Sequence, residues 1–319
     1  MSYKKEFILR KERSFGQKIE ATFEFIRLTI KPLFKSLFFY TSPFVLVGMF
    51  LVSYVLTTIM SIGMGANQGA ATSETDLVGI GLSMFAFVFL MLFAGTMVMS
   101  VVYGTTRIYD QQGNNDFTHK DVWQKVKKIY WPIFGTVFLY SVIFLILYFI
   151  ILIPVAFLAA FLSFFILPFV YILMGFFLVI MMTALCTQVH EGKSLGNAMS
   201  QAFRLLKRNW WASIGLLIVL MVIYNAVGVI FTLPFYVNFI IQMVNTSAID
   251  LMADTPLWQQ LLSYILSAIL LLGTFFSYSI PLVGMNIQYF HISEKADAKS
   301  LLSRIDQMGT KEEEEEEHY

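Results

Sequence analysis

Few residues of this sequence are equipped for chemistry. Four histidines and a single cysteine are spread over 319 residues. His119, His190 and His291 stand at the ends of apolar runs, whereas Cys186 lies inside one. On a helix, Cys186 and His190 are spaced i, i+4, which aims both side chains at one face and could hold a metal ion. No second cysteine or acidic ligand recurs nearby, so the pair reads as a small core thiol beside a boundary histidine. No metal or other cofactor is expected. One cysteine also excludes an intrachain disulfide.

Other chemical signatures are missing. There is no HExxH pair for a zinc protease, no GxxxxGK[ST] loop for phosphates and no GxSxG elbow. The apolar runs contain no Asp, Glu, Lys or Arg, the residues that mark ion pathways and proton relays. This weighs against a proton-coupled pump, a voltage sensor or an intramembrane aspartyl protease. Asn225 is the most polar group deep in an apolar run. It reads as a hydrogen-bonding contact to a neighbouring helix rather than a ligand contact. Pro43, Pro132, Pro154, Pro168, Pro234 and Pro281 are suited to kinking or ending such runs. The chain is therefore expected to be non-catalytic.

What positions these residues is a set of apolar spans. The composition is 57% hydrophobic and 13% charged, against roughly 25% charged in soluble domains, with a mean hydropathy of +0.70. A helix needs about 20 apolar residues to cross a hydrocarbon core of ~30 Å. Six segments qualify: Leu37–Ile62, Val78–Thr105, Tyr130–Val155, Phe161–Gln188, Trp210–Tyr236 and Leu257–Met285. The third and fourth form a hairpin, with Pro154, Ala156, Ala159 and Ala160 marking the turn. The first 35 residues are charged and amphipathic, so no cleavable signal peptide is expected.

Charge orients the spans. All 22 Lys and Arg fall in four places: the N-terminal segment, Arg107–Lys128, Glu191–Arg208 and the C-terminal tail. Gly63–Asp76 and Val237–Pro256 have none. With six spans the four basic segments lie on one side, and the basic side is the cytoplasmic one. The sequence thus predicts an all-α, multi-pass protein of a bacterial inner membrane with both termini cytoplasmic. Residues 1–36 form an amphipathic segment, 37–292 the membrane domain and 293–319 a cytoplasmic tail.

The basic segments are themselves patterned. In Ser194–Trp211, Leu195, Met199, Ala202, Phe203, Leu206 and Trp210 recur at steps of three and four, opposite Asn197, Gln201, Arg204, Lys207 and Arg208. This predicts a helix in the membrane plane near 194–209, its cations toward anionic headgroups, with Trp210 and Trp211 at the interface. The N-terminal segment repeats the design. Phe15, Ile19, Phe23, Ile26 and Ile30 oppose Glu20, Glu24, Arg27, Lys31 and Lys35, and Ser14 with Gln17 makes a capping box. A looser copy lies near 118–130, with Val122, Val126 and Ile129 apolar, Lys120, Lys127 and Lys128 polar, and Thr118 with Asp121 as cap. The copies read either as three units of one helix and two spans or as the composition any basic helix takes beside a membrane. The tail is expected to be a short helix, Ser293–Met308, followed by a disordered glutamate run.

The stretch VHEGKSLGNAMSQAFRLLKRNWW carries a family likeness. Its Glu191–Gly192 pair, the Ser194 cap, Ala198 and the basic-then-Trp exit into a span resemble the bacterial multi-span membrane domain attached to some glycerophosphodiester phosphodiesterases, and its stand-alone relatives. The likeness implies fold and topology. In the enzymes of that family catalysis belongs to a separate soluble domain, for which this sequence offers no counterpart. The functional expectation is a scaffold or subunit of a membrane complex, with the lipid bilayer, anionic headgroups and other membrane or envelope proteins as partners and no nucleic acid. The alternative is a transporter or permease for a lipid or weakly charged solute.

Overall fold

The computed structural model describes residues 7–67, 74–157, 159–248 and 256–316. The described residues form seven α-helices and no strand. They are α1 (Phe15–Asn67), α2 (Glu74–Gln112), α3 (His119–Phe157), α4 (Ala159–Glu191), α5 (Leu195–Leu206), α6 (Trp210–Ala248) and α7 (Leu257–Glu316). All but α5 are long and apolar enough to cross a membrane, which makes the chain a multi-pass membrane protein.

The sequence pattern separates amphipathic segments from spans, and here the structure differs. The stretches before the first and third spans are not helices of their own. Each runs without a break into the following apolar stretch, within α1 and α3. The reason is local. Extending an existing helix needs no new nucleus, and no glycine or helix-stopping cap separates Lys35 from Leu37 or Lys128 from Tyr130. Pro32 is accommodated inside α1. At 53 residues and 1.5 Å per residue, α1 is about 80 Å long, well beyond one hydrocarbon core. Only α5 stands apart. Gly192, at φ +70°, ends α4 and lets the chain turn, and Ser194 opens α5 without a side-chain cap bond.

The caps at Ser14 and Thr118 hold. The Ser14 amide donates to Gln17 Oε1 at 2.9 Å, and the Thr118 amide and hydroxyl both donate to Asp121 Oδ2 at 2.8 Å. Pro154 and Ala156 lie in α3, which ends at Phe157, and Ala159 and Ala160 open α4; position 158 lies outside the described residues. At the C-terminus, α7 continues through Glu316. The run Glu312–Glu316 is thus helical rather than irregular, since glutamate is a good helix former and prolongs a helix already nucleated.

Helix α7 is the central post. Every residue from Ser279 to Phe290 is buried, so this part of the helix is covered on all sides. Helices α1, α2, α4, α5 and α6 pack around it. Gly284 permits a close approach: a Cβ there would collide with Leu220 of α6 and meet Thr22 Oγ1 of α1 at 3.1 Å. The core is concentrated where the basic segments gather, with Phe25, Leu33, Tyr103, Ile133, Met182, Leu185 and Leu206 all below 2% exposed. Toward the other end large apolar side chains face outward, among them Leu82, Phe85, Ile150, Ile230 and Leu257. Such a surface suits acyl chains.

The inward face of α1 is rotated from the one the pattern predicts. Lys18, Ala21, Thr22, Phe25, Ile26, Thr29 and Leu33 are buried, while Phe15, Phe23 and Ile30 are over 40% exposed. Thr22 and Thr29 satisfy their hydroxyls on the carbonyls of Lys18 and Phe25, so small polar residues line the helix–helix seam. Likewise α5 buries Ala198, Ala202, Leu205 and Leu206. It packs against α4 and α7, and Phe203 is left outside.

Candidate functional site

Polar side chains meet at one end of the bundle. On α2, Tyr103, Thr106, Arg107 and Asp110 follow i, i+3, i+4, i+7 and share a face. On α4 the last turn presents Cys186 and His190. On α7, Asn286, Tyr289 and Phe290 do the same. The segment before α1 closes over them.

Asn286 is the hinge of the cluster. It is fully buried; its amide nitrogen donates to Thr106 Oγ1 at 2.8 Å, and its carbonyl oxygen lies 3.1 Å from His190 Nε2. Because the amide nitrogen is committed to Thr106, the carbonyl must accept, which assigns the proton of neutral His190 to Nε2. Nδ1 then faces Asp110 Oδ2 at 3.9 Å. The imidazole side chain is 1% exposed and sits between the rings of Tyr289 and Phe290, at 5.9 and 4.7 Å.

Asp110 ties in the N-terminal strap. Arg10 grips it with two bonds, Nε to Oδ1 at 3.0 Å and Nη2 to Oδ2 at 2.9 Å, and lies 5.4 Å over the Phe290 ring. The hydrogen bond to Asp110 raises the Arg10 pKa. Burial lowers that of Arg13, whose amide donates to His291 Nδ1 at 3.1 Å. Tyr109 holds the Phe7 carbonyl at 3.1 Å, and the rings of Phe7, Phe25 and Tyr109 interlock.

A second group surrounds Glu191. Its Oε1 accepts from Tyr289 Oη at 2.6 Å and Gln201 Nε2 at 2.7 Å, and Lys193 pairs with Oε2 at 2.7 Å. Lys193 also donates to Gln201. This pins α5 to the ends of α4 and α7. Gln288 reaches across to Ser213 Oγ of α6 at 2.8 Å. Charge and amide groups from six segments thus bond across the helix ends and hold them in register, while Tyr103 Oη, Arg107 Nε, His190 Nδ1 and Gln288 Oε1 are buried without a hydrogen-bond partner among the described residues.

The other sequence-predicted residues fall elsewhere. Arg27, Lys31, Lys35, Lys127, Lys128, Arg204, Lys207 and Arg208 are all exposed and stand outside the cluster. Lys127 rests 5.4 Å over the Trp123 ring, which itself stacks on Tyr40 at 4.4 Å. Trp210 is half-buried beside Phe176 and Phe203, and Trp211 is 71% exposed. Asn225 does not reach a neighbouring helix: it is exposed and donates to the Met221 carbonyl of its own helix at 2.7 Å. His119 stacks on Phe39. Cys186 is fully buried, and no metal-holding group of three or more His, Cys, Asp or Glu occurs among the described residues.

Sequence reasoning missed Arg10, Thr106, Arg107, Asp110, Asn286 and Gln288. The signal was present in MNIQYFH, where an amide appears at every second position as an apolar run ends. Reading the sixth span as ending at Met285 left Asn286 and Gln288 just beyond it.

Comparison of the chain with protein-family models, with curated proteins and with solved structures found no match.

Proposed function

We propose that this protein is a non-catalytic scaffold or subunit of a membrane complex. It sits in a bacterial inner membrane with its basic end, and so both termini, in the cytoplasm. The observation that carries the reading is the division of labour among its charges at that end. Arg10, Asp110, Glu191 and Lys193 are spent on one another, while eight further cations form an exposed collar. A frame braced inside and charged outside suits anionic headgroups and docking partners. The likeness to the phosphodiesterase-associated membrane domain belongs to the same proposal, since that domain accompanies a catalytic one.

The second reading, transport of a lipid or weakly charged solute, is favoured by one feature. At the opposite end a polar cavity of about 420 Å³ lies between α1, α6 and α7, lined by Ser53, Tyr54, Gln242, Gln259 and Ser263. Purification of the full chain in mild detergent decides between them. The scaffold reading expects a stoichiometric membrane or envelope partner. Solute-dependent thermal stabilisation of a partner-free protein would replace it with transport.

A further inference from the structure

The seam between α1, α6 and α7 contains a second cavity, nearer the basic end, of about 260 Å³. Phe34 and Phe38 of α1, Phe231 of α6, and Leu272 and Phe276 of α7 line it. Phe231 lies against Gly273, where a Cβ would collide with its ring. The absence of a side chain there lets the aromatic wall close down on α7. Thr41 is the one polar side chain of the lining, and its hydroxyl is satisfied by the Leu37 carbonyl at 2.6 Å. Nothing in the lining calls for water.

Charge stands beside this apolar slot on the same helix face. Lys31, Phe34, Lys35 and Phe38 are spaced i, i+3, i+4, i+7, so two exposed cations alternate with the two rings that form the wall. From Lys31 to Thr41 the helix rises about 15 Å. Lys31 stands nearest the basic end, Lys35 lies between the two rings, and the slot continues past Phe38 to Thr41 toward the membrane interior. That is the order of polarity along a phospholipid.

We propose that this seam holds one acidic phospholipid, its acyl chain in the slot and its phosphate on Lys31 and Lys35. The proposal rests on the membrane reading of the fold, not on whether the protein scaffolds or transports. A second copy's apolar helix in the slot would give the two lysines no anion. Partner copurification tests function and lipid retention tests this site, so the two fail separately.

The test is native mass spectrometry of the full chain in mild detergent with phosphatidylglycerol or phosphatidylcholine of identical chains. The wild type retains one phosphatidylglycerol at least tenfold over phosphatidylcholine. Lys31→Gln with Lys35→Gln lowers that affinity about thirtyfold, the product of roughly fivefold per headgroup cation. Lys11→Gln with Lys120→Gln, which removes the same charge elsewhere on the basic end, leaves it unchanged. Ile269→Trp fills the slot from its half-exposed edge and abolishes retention with both lysines intact. Should that variant not purify as a monodisperse species, Thr41→Met does the same from inside. Equal retention of phosphatidylcholine, equal loss in the control pair, undiminished retention in the filled variant, or a lipid-free dimer would overturn the proposal.

Discussion

Replacing Asn286 with leucine tests whether the polar cluster braces the bundle. The two side chains are close in volume, so the substitution removes hydrogen bonds without opening a large void. His190 Nε2 loses its acceptor, and a buried donor left unsatisfied costs about 1–3 kcal/mol. Thr106 loses less, because its hydroxyl still donates to the Tyr103 carbonyl at 3.0 Å. The sum is about 2–3 kcal/mol. At roughly 2–4 °C per kcal/mol, the melting midpoint falls by roughly 4–12 °C. Cys186 supplies the assay, since it is the only thiol and is fully buried: a thiol-reactive dye reports unfolding as it becomes accessible. The control is Asn225→Leu, which removes an exposed amide bonded only to its own helix and shifts the midpoint by less than about 1 °C. Equal midpoints for the two variants would refute the bracing argument.

Three further outcomes follow from the same physics. Cysteines introduced at Ser73 or Ser247, in a Cys186→Ser background, react with an impermeant reagent from outside, whereas those at Ser2, Asn114 or Ser200 do not; external labelling of position 114 or 200 breaks the six-span topology. Arg10→Ala costs less than about 1 kcal/mol and its effect fades at high salt, because Arg10 is 53% exposed and screened; a salt-independent loss in thermal unfolding would contradict this. A peptide covering Ser194–Trp211 binds anionic vesicles as a helix and releases partly at high salt, through Arg204, Lys207 and Arg208; circular dichroism showing equal folding on neutral vesicles would leave only its apolar face as the cause.

The sequence alone determined the class of fold. Six apolar runs and the confinement of 22 Lys and Arg to four segments leave little choice, because a bilayer penalises unpaired backbone and charge anywhere else. The contacts of Arg10, Asp110, His190, Asn286 and Glu191 bring the first three of those segments to one end together with the part of α7 that leads into the tail. Helical periodicity also identified the exposed cations, since a charge excluded from a seam must face outward. It did not identify the true inward face of α1. Thr22 and Thr29 count as polar in any periodicity, yet each hides its hydroxyl on its own backbone and packs as a small residue. The cluster around Asn286 was decided only by tertiary structure. Its members lie up to 280 positions apart, from Arg10 to Phe290. Each alone looks like an ordinary polar residue at the end of a span. What makes them a site is that α7 runs through the middle of the bundle and carries Asn286, Tyr289 and Phe290 into the ends of α2 and α4, where buried polar groups can find partners only within the protein.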